Sequence, residues 1–355
     1  MKTCLAFLVL LLQALTASAQ QTELAALLKK ANVPGMQLVY TKEGKATAYT
    51  LGLRKADSPQ VLDAQTIFQA ASLGKVMLAY TALRLHDKGL LDLDKPLLTY
   101  YRYPRLAQQA SAERITARMV LGHTSGLPNW AQNPLEAGWK TSALSLKYAP
   151  GDCWNYSGEG YVFLQKTLEH LTGKSFEVLA QEEVFKPLHL AHSSYVWQAR
   201  FNTNAAYGHN SAGQPTEIKR FAEPNAGFSL LTTAADYNAF LMALMTGQGL
   251  KPATARLLIT PANAANRCST PATATDPYID WGCGLGLVMT SRGPALWHWG
   301  DNGDFEGFFL AFPNRRESVV FFTNSANGLT ITDDVLRLFF GPGDYRAMQW
   351  LAEAK

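Results

Sequence analysis

Residues 72–89 read SLGKVMLAYTALRLHDKG, and this run organises the reading of the whole chain. Apolar residues recur at helical spacing from Ser72 to Lys88, and Gly89 supplies the stop. On a helix, positions i and i+3 share a face, so the Lys75 ammonium can sit beside the Ser72 hydroxyl. No other serine in the chain has a lysine three residues later. A serine alcohol is a weak nucleophile until a neighbour takes its proton. A free lysine, with a pKa near 10.4, stays charged at neutral pH; burial or nearby positive charge lowers that value and makes it a usable base. Chance alone places about one such pair in a chain of this length. The plain alternative is an exposed helix start with Ser72 near the cap.

Outward from this helix the pattern changes on both sides. Residues 22–31 form a short opening helix with Thr22 as N-cap, and 36–40 and 46–53 form a β-hairpin around Lys42-Glu43-Gly44-Lys45. The middle alternates helices, the clearest at 161–172, 175–184 and 233–246, with loops rich in Gly, Pro, Asn and Ser. Strand patterns return at 283–290, 295–299, 306–312 and 318–324, and a last helix covers about 330–340. The expected fold is α/β: an antiparallel sheet formed from both chain ends with flanking helices, plus an inserted, mostly helical lobe. The sheet lobe takes residues 20–71 and 276–355, and the helical lobe 72–275.

Residues 1–19 carry Lys2, an apolar run from Leu5 to Leu15 and the small-residue stretch Ala17-Ser18-Ala19, which together read as a signal peptide. The run is too short for an ordinary membrane span, and an exported protein, periplasmic or secreted, is expected. No stable membrane insertion should follow cleavage. The net charge of +4 is spread along the chain without a basic run, which excludes a nucleic-acid partner. There is no Cys-x-x-Cys pair and no His-Glu-x-x-His arrangement, so no metal and no cofactor is expected. Of the cysteines beyond the leader, Cys268 and Cys283 are expected to form a disulfide clamping the loop between them. Cys153 is expected to stay free near the cleft.

Two further constellations carry chemistry. Asn155-Tyr156-Ser157-Gly158 precedes the helix at 161–172, and a tyrosine there can relay a proton if a nearby cation lowers its pKa from about 10. The bland reading is an aromatic packed in a turn. His298-Trp299-Gly300 ends an expected strand ahead of the turn Asp301-Asn302-Gly303-Asp304. Gly300 would let backbone approach a substrate closely, and an exposed strand edge offers N–H donors to a developing oxyanion. The bland reading here is a strand-end turn.

Taken in this order, the three constellations resemble the serine β-lactamase and penicillin-binding protein superfamily, in its branch of class C β-lactamases, esterases and D-amino-peptidases. The stretches RITARMVLGHTSGLPNW (114–130), PGDCWNYSGEGY (150–161) and PNAGFSLLTTAADYNAFL (224–241) look like landmarks of that family. The resemblance implies that Ser72 is acylated, that Lys75 is its base, that Tyr156 is the general acid/base between them, and that His298 replaces the lysine of the third motif. It implies an oxyanion hole from the backbone N–H groups of Ser72 and Asp301. Where the family's tyrosine motif often ends in Asn, this chain has Gly158. The function implied is a serine hydrolase acting on small-molecule or peptide substrates, cell-wall-derived ones among them. Esters or D-amino-acid peptide bonds come first and β-lactams third, and the rival reading is a slow penicillin-binding or sensor protein. Because Gly158 and a neutral His298 offer little to an acylamino group and a carboxylate, esters should be preferred, and Gly158→Asn should favour β-lactams unless the position needs φ > 0.

Overall fold

The computed structural model describes residues 17–353. The expected leader therefore lies outside the described residues except for 17–19, which are already helical. Helix α1 runs over residues 17–30, starting ahead of the expected cap. Thr22 caps nothing: its hydroxyl donates to the Ser18 carbonyl one turn back, at 3.0 Å.

The sheet has seven strands in the order β2-β1-β9-β8-β7-β6-β5, every neighbouring pair antiparallel. β1 (Gly35–Lys42) and β2 (Lys45–Gly52) come from one end of the chain. β5 (Ile279–Trp281), β6 (Gly286–Thr290), β7 (Gly293–Asp301), β8 (Glu306–Phe312) and β9 (Glu317–Thr323) come from the other. The β1–β2 hairpin closes through Glu43 and Gly44, both at positive φ (52° and 81°), the conformation that a tight two-residue hairpin turn demands. The strand expected at 283–290 begins only at Gly286. Gly284, at φ 102°, turns the chain, and the short β5 stands before the turn.

β8 and β9 are buried along their whole length because both faces of the sheet are covered. Phe308, Leu310, Val319 and Phe321 meet α1 and α8 (Thr332–Phe340) on one face; Phe309, Ala311, Val320 and Phe322 join the larger core on the other. This is why their sequences run apolar without alternation. α6 (Ala234–Thr246), capped by Thr233 and stopped at Gly247, packs on β1, β8 and β9 although it comes from the middle of the chain. α2 (Gly74–Asp87) is buried nearly all round and touches α4 (Gly158–Thr172) and α5 (Phe176–Ala180), so the helix carrying Lys75 is a central element. α3 (Ala117–Leu121) lies against α4, and α7 (Pro252–Ile259) follows α6. A small second sheet, β3 (Phe68–Ala71) with β4 (Leu230–Thr232), and the final helix α9 (Ala347–Ala352) have no counterpart in the sequence reading.

Among the described residues the disulfide joins Cys153 to Cys268, and Cys283 is the free, buried thiol; the expected Cys268–Cys283 pair does not form. The loop after α7 crosses to the Tyr156 segment, where Trp154 N–H donates to Asn266 O at 2.7 Å and Cys268 N–H to Trp154 O at 3.0 Å. Cys283 stays at the β5–β6 turn beside Arg118, whose guanidinium is 3.9 Å from its sulfur. Nearness in sequence misled because the intervening loop leads away from that turn.

Candidate active site

Ser72 sits in the turn between β3 and α2, where Leu73 N–H donates to Ala70 O and Lys75 N–H to Ser72 O. The helix proper starts at Gly74, two residues later than the spacing suggests. Ala71, immediately before the serine, is held at φ 49°, a left-handed conformation that a non-glycine residue adopts at a cost of about 1 kcal/mol. Beside it lies Gly300 on β7, where a Cβ would stand 2.4 Å from the Ala70 carbonyl. Glycine at this position thus serves close approach between β7 and the backbone leading to the nucleophile. Asn302 secures the join by donating from Nδ2 to Gln69 Oε1 at 2.8 Å and to Phe228 O at 3.2 Å.

Lys75 is wholly buried. Its Nζ lies 2.9 Å from Ser72 Oγ and 2.7 Å from the Gly227 carbonyl, and 4.9 Å from the centre of the Tyr156 ring. Burial pushes its pKa down to about 7, with no carboxylate opposing the shift. An amine that donates one N–H to Gly227 O can turn its lone pair to the serine.

Tyr156 projects from the segment before α4, its ring packed on His123 (4.4 Å between centroids) and Trp299 (4.8 Å). Its buried Oη faces Ser72 without completing a well-formed hydrogen bond. Burial pushes the phenol well above its ordinary value, opposed by the Ser72 hydroxyl. The expected lowering of this pKa by a nearby cation is reversed, because desolvation dominates. Tyr156 is a held proton, not a resident base.

His298 is fully buried. Its Nδ1 lies 2.7 Å from the Trp299 carbonyl and must donate there, which leaves Nε2 an acceptor. Burial, then the neighbouring Lys75, hold its pKa down to about 3, against the hydrogen bond to Trp299. It is neutral and offers a substrate carboxylate no N–H from Nε2. Asp301, by contrast, is exposed at the end of β7, with Oδ1 accepting from Gly303 N–H at 2.7 Å.

Gly158 is buried at the first position of α4, and its N–H donates to Asn129 Oδ1 at 3.0 Å. A Cβ there would stand 2.4 Å from the Trp130 ring, so this indole, not an amide, fills the space beside Gly158. Trp130 also lies against Gly227 and 5.9 Å from Lys75 Nζ. The roles of Asn129, Trp130, His123 and Gly227 escaped the sequence reading. All four lie inside the stretches 114–130 and 224–241, whose wording was distinctive but whose chemistry was not.

A cleft of about 620 Å³ opens over Tyr156, lined by Asn129, Trp299, Asp301, Arg267 and α9 residues such as Met348. Arg267 is committed to Asp276 at 2.9 Å and to the Trp350 carbonyl at 2.8 Å. No group of three His, Cys, Asp or Glu placed to hold a metal occurs among the described residues.

The family model described as Beta-lactamase matches residues 21–338, nearly all of the chain. The chain belongs to the Beta-lactamase family. It is 24% identical over 341 residues to Penicillin-binding protein 4 of Amycolatopsis lactamdurans, covering 90% of this chain and 88% of that one. Other curated relatives are matched over as little as 41% of their own length. The D-alanine carboxypeptidase AmpC of Burkholderia cenocepacia superposes with a TM-score of 0.74 at 18% identity, covering 90% of this chain and 98% of that one. A class C β-lactamase does so with a TM-score of 0.75 at 19% identity, covering 90% and 95%. These likenesses establish the α/β fold of the Beta-lactamase family. No helix among the described residues is long and apolar enough to cross a membrane.

Proposed function

We propose that this member of the Beta-lactamase family is an exported serine hydrolase that works through an acyl-enzyme on Ser72, with esters and D-amino-acid amide bonds as substrates ahead of β-lactams. The observation that carries the reading is the buried Lys75 Nζ at 2.9 Å from Ser72 Oγ with its pKa near neutrality. Neutral Lys75 takes the serine proton as Oγ attacks the acyl carbon. Backbone N–H groups of Ser72 and Asp301 are the proposed donors to the oxyanion. As the bond to the leaving group breaks, Tyr156 passes a proton to the departing oxygen or nitrogen and is reprotonated from Lys75. Water then adds to the acyl-enzyme, its proton returns through the same groups, and free acid and Ser72 result.

Export is supported by the Cys153–Cys268 disulfide, since such bonds persist in oxidising compartments. The preference for esters is supported by the neutral, inward-bonded His298 and by the exposed Asp301 carboxylate on the cleft wall. The test is intact-mass analysis after a fluorophosphonate and, separately, a penicillin, on the wild type and on Ser72→Ala. One fluorophosphonate adduct per chain, absent from the folded Ser72→Ala protein, is expected. Its survival in that variant overturns the assignment.

A further inference from the structure

His123 lies in the turn that closes α3, at φ 57°, a backbone conformation in which histidine is unusual but enriched over most residues. It is fully buried and touches the segment around Tyr156 in three ways. Its carbonyl accepts the N–H of Asn155 at 2.7 Å. Its Nδ1 accepts the N–H of Ser157 at 3.1 Å. Its ring packs on the Tyr156 ring at 4.4 Å between centroids, inclined by 31°. One residue thus holds the backbone N–H groups of the residues before and after the tyrosine and the face of its ring. Asn155 Nδ2 and Ser157 Oγ tie the same segment to the carbonyls of Leu127 and Pro128, but neither contact reaches the phenol.

The bond from Ser157 fixes the tautomer: Nδ1 accepts, so the proton is on Nε2 and the ring is neutral. A protonated ring would set an N–H against the Ser157 N–H and lose the clamp. Burial above all, with lesser contributions from the neighbouring His298 and Lys75, keeps the imidazole well below its ordinary pKa, in keeping with this geometry.

We infer that His123 is the positioning residue of Tyr156: its Nδ1 and carbonyl set the turn that aims the phenol at Ser72. The inference rests on the proposed roles of Ser72, Lys75 and Tyr156. It is tested by a double-mutant cycle in which all rates are expressed per fluorophosphonate-titrated site, so that misfolded protein is not counted. His123→Phe keeps an aromatic ring and removes the Nδ1 acceptor. His123→Asn offers Oδ1 in place of Nδ1 and tolerates the left-handed backbone. For p-nitrophenyl butyrate, His123→Phe should lower kcat at least about tenfold with KM little changed, and His123→Asn should recover to within about threefold of wild type. In a Tyr156→Phe background, His123→Phe should have no further effect, because the group it aims is gone. A full, additive loss in that background, or an Asn variant as poor as the Phe variant, overturns the inference. A Ser72→Ala protein that still takes up the fluorophosphonate would instead overturn the acyl-enzyme reading beneath it.

Discussion

Lys75 Nζ stands 2.9 Å from Ser72 Oγ in a position closed to solvent, and the Gly227 carbonyl is its second partner. As the proposed base, Lys75 with a pKa of about 7 changes its charge around neutral pH. Below that value Lys75 carries a proton and cannot take the one on Ser72; above it the lone pair is free. His298, held down to about 3, and Tyr156, pushed up by burial, keep their protonation states through this window. The kcat/KM for p-nitrophenyl butyrate should therefore rise about tenfold per pH unit up to about pH 7 and then level, with one ionisation on the ascending limb. A limb centred below pH 5 would point to a carboxylate base and remove Lys75 from the role.

The same burial predicts a cost in stability. In the unfolded chain Lys75 holds its proton up to an ordinary pKa, but in the folded protein only up to about 7. Between those values the unfolded state binds more protons, so folding stability gains with rising pH, and the penalty is largest below pH 7. Lys75→Met, which leaves no buried amine, should abolish acylation and raise stability by several kcal/mol at pH 6, with a smaller gain at pH 10. Urea denaturation at both pH values measures it. A Met variant less stable than wild type at pH 6 would mean that the Gly227 and Ser72 contacts outweigh desolvation.

The elements that were legible in the sequence are those whose signal is local. The β1–β2 hairpin is written in Glu43-Gly44, most of α4 and α6 in their helical spacing and the glycines that stop them, and the Ser72–Lys75 pair in helical spacing. β3 and β4 were illegible because each is only three or four residues long and its partner lies far along the chain. The pairing of Cys153 with Cys268 was hidden for the same reason. His123 acts through backbone contacts and ring packing that no residue type announces, and Trp130 matters because of what it excludes from Gly158.

That exclusion argues against the expected benefit of Gly158→Asn. The position is helical, without the positive φ that would demand glycine, yet a Cβ would meet the Trp130 ring at 2.4 Å. Overpacking of this kind costs about 1–3 kcal/mol. The single variant should melt at a lower temperature and gain no rate with nitrocefin. Gly158→Asn combined with Trp130→Ala should regain part of the stability, because the indole that blocks the side chain has been removed. If the single variant melts like wild type, Trp130 moves aside freely and the steric argument fails.

Removing the disulfide should affect both stability and the site. Cys153 lies three residues before Tyr156, and its bond to Cys268 closes a sequence separation of 115 residues. Loss of a link across so long a loop typically costs about 2–5 kcal/mol. Replacing both cysteines by serine should lower stability by that order and slow acylation through a looser Tyr156 segment. Alkylation of unreduced, denatured protein should label Cys283 and spare Cys153 and Cys268. Labelling of all three would show that the bridge is absent.

Substrate choice follows from what the cleft offers a carboxylate. A β-lactam of the common kind carries one next to its ring nitrogen, and a site adapted to it answers with a cation or a donated hydrogen bond. Here His298 donates Nδ1–H to the Trp299 carbonyl and is uncharged, and Arg267 is already paired with Asp276. Asp301, meanwhile, places an exposed carboxylate on the cleft wall. Losing one charged hydrogen bond is worth about 1.5–3 kcal/mol, or roughly ten- to a hundredfold in specificity. A neutral ester loses nothing by this arrangement. The kcat/KM for p-nitrophenyl butyrate should thus exceed that for nitrocefin by at least about tenfold. Asp301→Asn removes the repulsion without adding a cation. It should raise the nitrocefin rate about three- to tenfold relative to the ester, an effect that shrinks with added salt because the charge is exposed. If wild type prefers nitrocefin, or if Asp301→Asn leaves the ratio unmoved at low ionic strength, the carboxylate is held by groups other than these and the electrostatic account of specificity is wrong.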